Sequence, residues 1–165
     1  MGRMIVAVVF AVLGMSGTTL ASSLPLGGVT PEQVVAVLKA KQLPAELGKD
    51  KVGDPKIATK VDDVEYYIYF YDCKAGRCEA IQLVAGFDLE RGLTFEQANK
   101  WNAGYRFGRM YLDEEKDPYL NMDINLAKGG STELIDDNLD MWVAVLAAFG
   151  GFLDEVAKEV TASAK

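Results

Sequence analysis

The stretch from Lys56 to Phe87 limits the possible folds of this chain more than any other, because its apolar period is two and a cysteine-flanked turn interrupts it. Lys56–Val61 and Val64–Tyr71 read as strands joined at Asp62-Asp63, and Glu79–Phe87 reads as a third. Alternation of this kind marks strands with one buried face. The turn Cys73-Lys74-Ala75-Gly76-Arg77-Cys78 lies between the second and third strands, with Gly76 free to take positive φ, so the two pair as an antiparallel hairpin. In an oxidising compartment Cys73 and Cys78 form a disulfide across that hairpin, worth about 2 kcal/mol for so short a loop. The alternative is a redox-active pair, with Lys74 and Arg77 lowering a thiolate pKa, although such pairs favour C-x-x-C at a helix start.

Two more strands follow, Arg106–Leu112 and Pro118–Leu126, around the acidic turn Asp113-Glu114-Glu115-Lys116-Asp117. In the second, Leu120, Met122, Ile124 and Leu126 face one way, and Tyr119, Asn121, Asp123 and Asn125 face the other. One dry face and one wetter face is the antiparallel habit. Helices are announced by two capping boxes, Thr30-Pro31-Glu32-Gln33 and Thr94-Phe95-Glu96-Gln97. The first helix carries Val34, Val35, Val37 and Leu38 on its apolar face and ends at Pro44; Lys49 to Pro55 is a polar connection. Leu93 is placed to staple against Ala98, and the second helix runs to about Ala103, stopping at Gly104.

The last element is a long helix whose seam runs Ile135, Leu139, Trp142, Leu146, Phe149, Leu153, Val156, Val160. A second stripe, Met141, Val145 and Phe152, lies beside it, and the 13 residues from Met141 to Leu153 carry no charge. That length is short of the roughly 20 residues of a membrane span, so the helix is buried on two sides. One side is the sheet; the other is a further helix of this chain or a second subunit. Homodimer contact through Met141, Val145, Phe149 and Phe152 is the preferred expectation. The order is therefore α-β-β-β-α-β-β-α, a single α+β domain over residues 30–165 with its helices packed on a five-stranded antiparallel sheet.

The N-terminus has one cation, Arg3, an apolar run from Met4 to Met15, and the small-x-small ending Thr19-Leu20-Ala21. Those are the parts of a secretory signal peptide. The expectation is a signal peptide over residues 1–21 cleaved near Ala21, a loose leader over 22–29, a periplasmic or secreted product, and no stable membrane span after cleavage. The rival is an uncleaved anchor, since no charge appears until Glu32. Loss of Arg3 takes the net charge from −7 to −8.

Charge and composition remove whole classes of function. With 17 Lys+Arg against 24 Asp+Glu, the chain is a poor partner for nucleic acid, whose binding rests on basic side chains displacing counterions. It has no histidine, which removes Ser-His-Asp and Cys-His nucleophiles, histidine proton shuttles and histidine-ligated metals. Two cysteines alone fall short of a zinc site, and no cofactor is expected.

Several features admit two readings. Asp113, Glu115 and Asp117 would hold calcium weakly or form a solvated turn, and they lack the EF-hand glycine and distal glutamate. Lys128-Gly129-Gly130-Ser131-Thr132 would cradle a phosphate, but Glu133, Asp136 and Asp137 repel an anion and fit the first turn of a helix. Asn99, Trp101 and Asn102 form either an interaction site or a core tryptophan with amides tying the helix to the next strand. Tyr67, Tyr69 and Tyr71 share one strand face, opposite Tyr66, Ile68 and Phe70. That face is a docking surface or lies under a further layer, loop or subunit.

The runs Phe70-Tyr71-Asp72-Cys73…Cys78, Ile81…Leu83…Ala85…Phe87, Asn99-Lys100-Trp101-Asn102…Arg106-Phe107, Tyr111-Leu112-Asp113-Glu114 and Gly129-Gly130 resemble the YbjN family, described as regulators of bacterial sensory transduction. The likeness extends from about Thr30 to Phe152. It implies the fold of type III secretion chaperones and a binding or chaperone-like module, often dimeric, with no catalytic residues to carry over. The signal segment and the cysteine pair depart from many relatives and argue against a cytoplasmic role. The expectation is an exported, non-enzymatic regulatory or chaperone-like module with an unidentified protein partner. The alternative is a small periplasmic enzyme working through Cys73–Cys78 or through carboxylates.

Overall fold

Both capping boxes form as the sequence demands. The Thr30 hydroxyl accepts from the Gln33 amide while Gln33 Oε1 accepts from the Thr30 amide, and Thr94 and Gln97 repeat the exchange. They start α1 (Pro31–Ala40) and α2 (Phe95–Gly104). The computed structural model describes residues 22–163, with side chains through residue 159; the expected signal segment, residues 1–21, and the side chain of Val160 lie outside them. In α1 the helix stops at Ala40, before Pro44, because Gln42 takes φ of 60°. The Leu43 and Gln42 amides then bond back to the carbonyls of Leu38 and Lys39, a Schellman closure without the usual glycine.

The strands are β1 (Ser23–Leu24), β2 (Glu46–Lys49), β3 (Pro55–Val61), β4 (Val64–Lys74), β5 (Arg77–Gly86), β6 (Arg109–Leu112), β7 (Pro118–Asn125) and β8 (Gly130–Ser131). The main sheet has six strands in the order β2-β3-β4-β5-β7-β6, every pair antiparallel, where five were expected. The additional strand, β2, is an edge whose four residues are all exposed, so no apolar alternation marks it. β6 begins at Arg109 instead of Arg106, because Gly108, at φ +73°, turns the chain against Val145.

The leader expected to be loose is tied down. Ser23–Leu24 pairs with Gly130–Ser131, Leu24 and Val29 are buried, and Val29 forms a two-way bridge with Cys78. Its small residues carry no periodicity, and only the tertiary fold supplies the partners. This pairing also uses Gly129-Gly130, the suggested phosphate cradle: a Cβ on Gly129 would lie 2.6 Å from the Leu24 carbonyl oxygen.

Among the described residues the three helices lie on one side of the sheet, where Ile57, Tyr66, Ile68, Phe70, Ile81, Leu83, Leu120 and Ile124 are buried. The long helix α3 (Thr132–Ser163) drops Trp142 edge-on against Tyr66, ring centroids 6.0 Å apart, and Phe149 against Phe87 at 4.7 Å. Its second apolar stripe needs no second subunit. Trp101 of α2 meets Phe149 and Phe152 edge-on at 5.3 and 5.5 Å, and Val145 packs on Gly108. Val145, Phe149 and Phe152, expected at a dimer contact, are interior side chains of one chain, and Met141 is half-buried beside them. The periodicity reported burial correctly, but α2 and the turn after it do the covering.

Candidate contact surface

Side chains of directly paired residues share a face, so the register fixes what the other side of the sheet presents. Tyr67, Tyr69 and Tyr71 point away from the helices; Tyr67 and Tyr71 are 36 % and 44 % exposed. Tyr111 and Tyr119, which sequence reasoning did not group with them, join that face from β6 and β7, their rings stacked at 5.2 Å. The signal was present only as alternation within each strand. What unites the tyrosines is the strand order β5-β7-β6, which no local pattern states.

Charge is distributed over this face in rows. One row runs Lys56, Tyr69, Gln82, Asp123 across β3, β4, β5 and β7. The next runs Glu46, Ala58, Tyr67, Val84, Asn121, Arg109 from edge to edge. The Lys56 ammonium lies over the Tyr67 ring at 4.7 Å, Gln82 donates to Asp123 at 2.7 Å, and Arg109 donates to Asn121 at 3.2 Å. Partial burial pushes the Tyr69, Tyr71 and Tyr111 phenols up; neighbouring tyrosines raise Tyr69 and Tyr111 further, and Asp123 does so for Tyr71. The phenols stay neutral donors at ordinary pH. At the hairpin end of the sheet Cys73 and the buried Cys78 are bonded to each other.

The other sequence candidates are structural. Trp101 is buried, donates its indole N–H to the Gly108 carbonyl at 2.6 Å and stacks on Tyr105 at 3.9 Å. Asn102 accepts from the Met110 amide at 2.8 Å and donates to the Met110 carbonyl at 3.1 Å, tying α2 to β6. Trp101 and Asn102 therefore correct the expected interaction site, because backbone groups of the following turn and strand consume their polar atoms. Asn99 sits exposed on α2, apart from the tyrosine face. Asp113 accepts from the Glu115 and Asp117 amides, and Asp117 accepts from the Leu89 amide, so these two aspartates of the acidic turn bond backbone amides of the turn and of the loop after β5.

A cleft of about 560 Å³ lies on the helical side, between α1 and the start of α3, lined by Ala36, Val37, Ala40 and Lys41. Its lysine is already engaged by acids of α3. Lys41 reaches Asp136 and Asp140 at 2.8 and 2.6 Å. Burial alone would lower the Lys41 ammonium, yet bonds and charge from the two aspartates outweigh it and raise its pKa. Deeper in, burial pushes the Tyr66 phenol up to about 12, against the opposing influence of Thr59 across the β3–β4 pair. The two hydroxyls face each other without hydrogen-bond geometry, so Tyr66 acts as core packing.

Helices on one side of an antiparallel sheet and a tyrosine-bearing, charged face on the other define a two-layer α+β domain with one open sheet face. Residues 30–155 match the YbjN family, whose description reads "Putative bacterial sensory transduction regulator". The chain belongs to that family. No curated protein and no solved structure matches it, so the likeness to type III secretion chaperones rests on the sequence resemblance alone.

Proposed function

We propose that this protein is an exported, non-enzymatic regulatory module that acts by protein–protein contact through the open face of its sheet. The observation that carries the reading is the division of the sheet: the helices among the described residues cover one side, while Tyr67, Tyr71 and Tyr111 stand on the other at 36–44 % exposure. Tyrosine suits a contact surface because it offers area and a hydroxyl at low entropic cost. Membership in a family of regulators supports action through contact.

Export is supported by the small-x-small ending at Ala21, and the bonds of the residue that follows it are compatible with cleavage there. The Ser22 amide donates to Thr132 Oγ1 at 2.9 Å, and the Thr132 amide donates to the Ser22 carbonyl at 3.0 Å. Cleavage after Ala21 thus leaves every one of these bonds in place. The Cys73–Cys78 bond suits an oxidising compartment.

Acetylation of tyrosines by N-acetylimidazole, read by mass spectrometry of peptides, tests this reading. In the purified protein, diluted until light scattering gives the mass of one chain, Tyr71 and Tyr111 are expected to label freely and Tyr66 not at all. In intact cells labelling of Tyr71 and Tyr111 is expected to fall at least about fivefold, as for aromatic side chains desolvated at an interface. Equal labelling in both settings overturns the proposal.

A further inference from the structure

We infer that the occupant of the open sheet face is a second copy of this chain, packed face to face about a twofold axis that runs parallel to the strands between β4 and β5. The inference rests on the contact reading above and names the partner of that same surface. Its basis is charge. The strand rows of the face carry the cations Lys56, Lys60 and Arg109 and the anions Glu46, Glu65 and Asp123 in balance, with Asp50 near Tyr69 and Tyr71 and Asp113 near Tyr111 at its margins, in a chain of net charge −7. Two such acidic bodies repel through most of their surfaces and can approach through this one.

The signs also sit where that axis requires them. Rotation about it superposes each row on its own row in the other copy, with β3 over β7, β2 over β6 and β4 over β5. In the first row Lys56 then faces the second copy's Asp123, and Tyr69 faces its Gln82. In the second row Glu46 faces Arg109, and Tyr67 faces Val84. Lys60 falls over Tyr119, a cation over a ring. No like-charged pair arises in these rows. Within one chain Lys56 and Asp123 stand three strand spacings apart, about 14 Å, too far to pair. Their complementarity is thus available only between copies.

The size is adequate. Six strands about 4.8 Å apart and several residues long make a face of roughly 600 Å² per copy, at the low end for a specific interface. Aligned packing of two sheets keeps their strands within about 30° of one another, so the rows stay opposed near the axis.

The test is a charge exchange read by light scattering over a dilution series of the mature protein, with circular dichroism to confirm that each variant keeps the fold. The natural chain is expected to dimerise. Lys56→Glu and Asp123→Lys each create two like-charge contacts per dimer and are expected to weaken it by about tenfold or more. The double variant Lys56→Glu/Asp123→Lys is expected to recover most of that loss, because the pair is reversed on both sides of the axis. Monomer at every concentration, or a dimer that the single exchanges leave untouched or the double exchange does not rescue, overturns the inference. A monomer in solution whose Tyr71 and Tyr111 are still protected in cells overturns the second copy alone and leaves the contact reading standing.

Discussion

Trp101→Ala is expected to lower the stability of the folded domain by about 3–5 kcal/mol, the range for deleting a buried tryptophan. The residue is the hub where α2, α3 and the turn before β6 meet. It stacks on Tyr105, meets Phe149 and Phe152 edge-on, and gives its indole N–H to the Gly108 carbonyl. Alanine leaves a cavity among aromatic rings that rigid neighbours fill poorly, and it orphans a buried carbonyl. Against the 5–15 kcal/mol that holds a typical domain together, this approaches global unfolding. Urea denaturation reads it as a midpoint lowered by about 2 M. Phe95→Ala on the same helix serves as the control, since Phe95 is 71 % exposed and should move the midpoint little. Equal effects at the two positions would show that α2 does not pack as described.

Gly28→Ala is expected to be comparably damaging without removing a single atom. Gly28 holds φ of +90°, and a Cβ there would lie 1.9 Å from the Cys78 carbonyl oxygen. Both the strain and the clash are with backbone, which cannot swing aside as a side chain can. Relief requires the leader to leave β5, breaking the Val29–Cys78 bridge and removing the Gly28 carbonyl from the Arg77 guanidinium that donates to it. A loss of about 3 kcal/mol or more follows. Gly27→Ala shares the positive φ but meets nothing within 4 Å, so it should cost only the conformational part, about 1 kcal/mol. The difference between the two, measured by the same urea titration, isolates the close approach of leader and sheet. If both cost the same small amount, the leader is not held there.

What the sequence made legible follows a physical divide. Features whose cause is local were readable: the capping boxes at Thr30 and Thr94, the cysteine hairpin, and the alternation of β4, β5 and β7. Features whose cause is a distant partner were not. β2 has no apolar face because it sits at an edge, and Ser23–Leu24 finds its strand partner far along the chain, at Gly130–Ser131. Gln42 closes α1 in a conformation usually assigned to glycine, so nothing before Pro44 announced the stop. The apolar breadth of α3 was plain, but periodicity says that a side chain is buried and not what buries it. The candidate surface shows the same limit. Tyr67, Tyr69 and Tyr71 were visible on one strand, whereas Tyr111, Tyr119 and the charge rows emerge only when non-consecutive strands are set side by side.

The most direct measurement of the central claim is site-specific photocrosslinking in cells that export the protein. A photoreactive phenylalanine analogue replaces Tyr71 on the open face, or Lys158 on the exposed side of α3 as control. A contact surface on the sheet predicts a crosslinked product from position 71 and none from position 158, and the second-copy arrangement predicts that its mass is twice that of the mature chain. A product of another mass would keep the sheet face as the contact surface with a different partner. No product from position 71, with the protein folded and exported, would contradict the account.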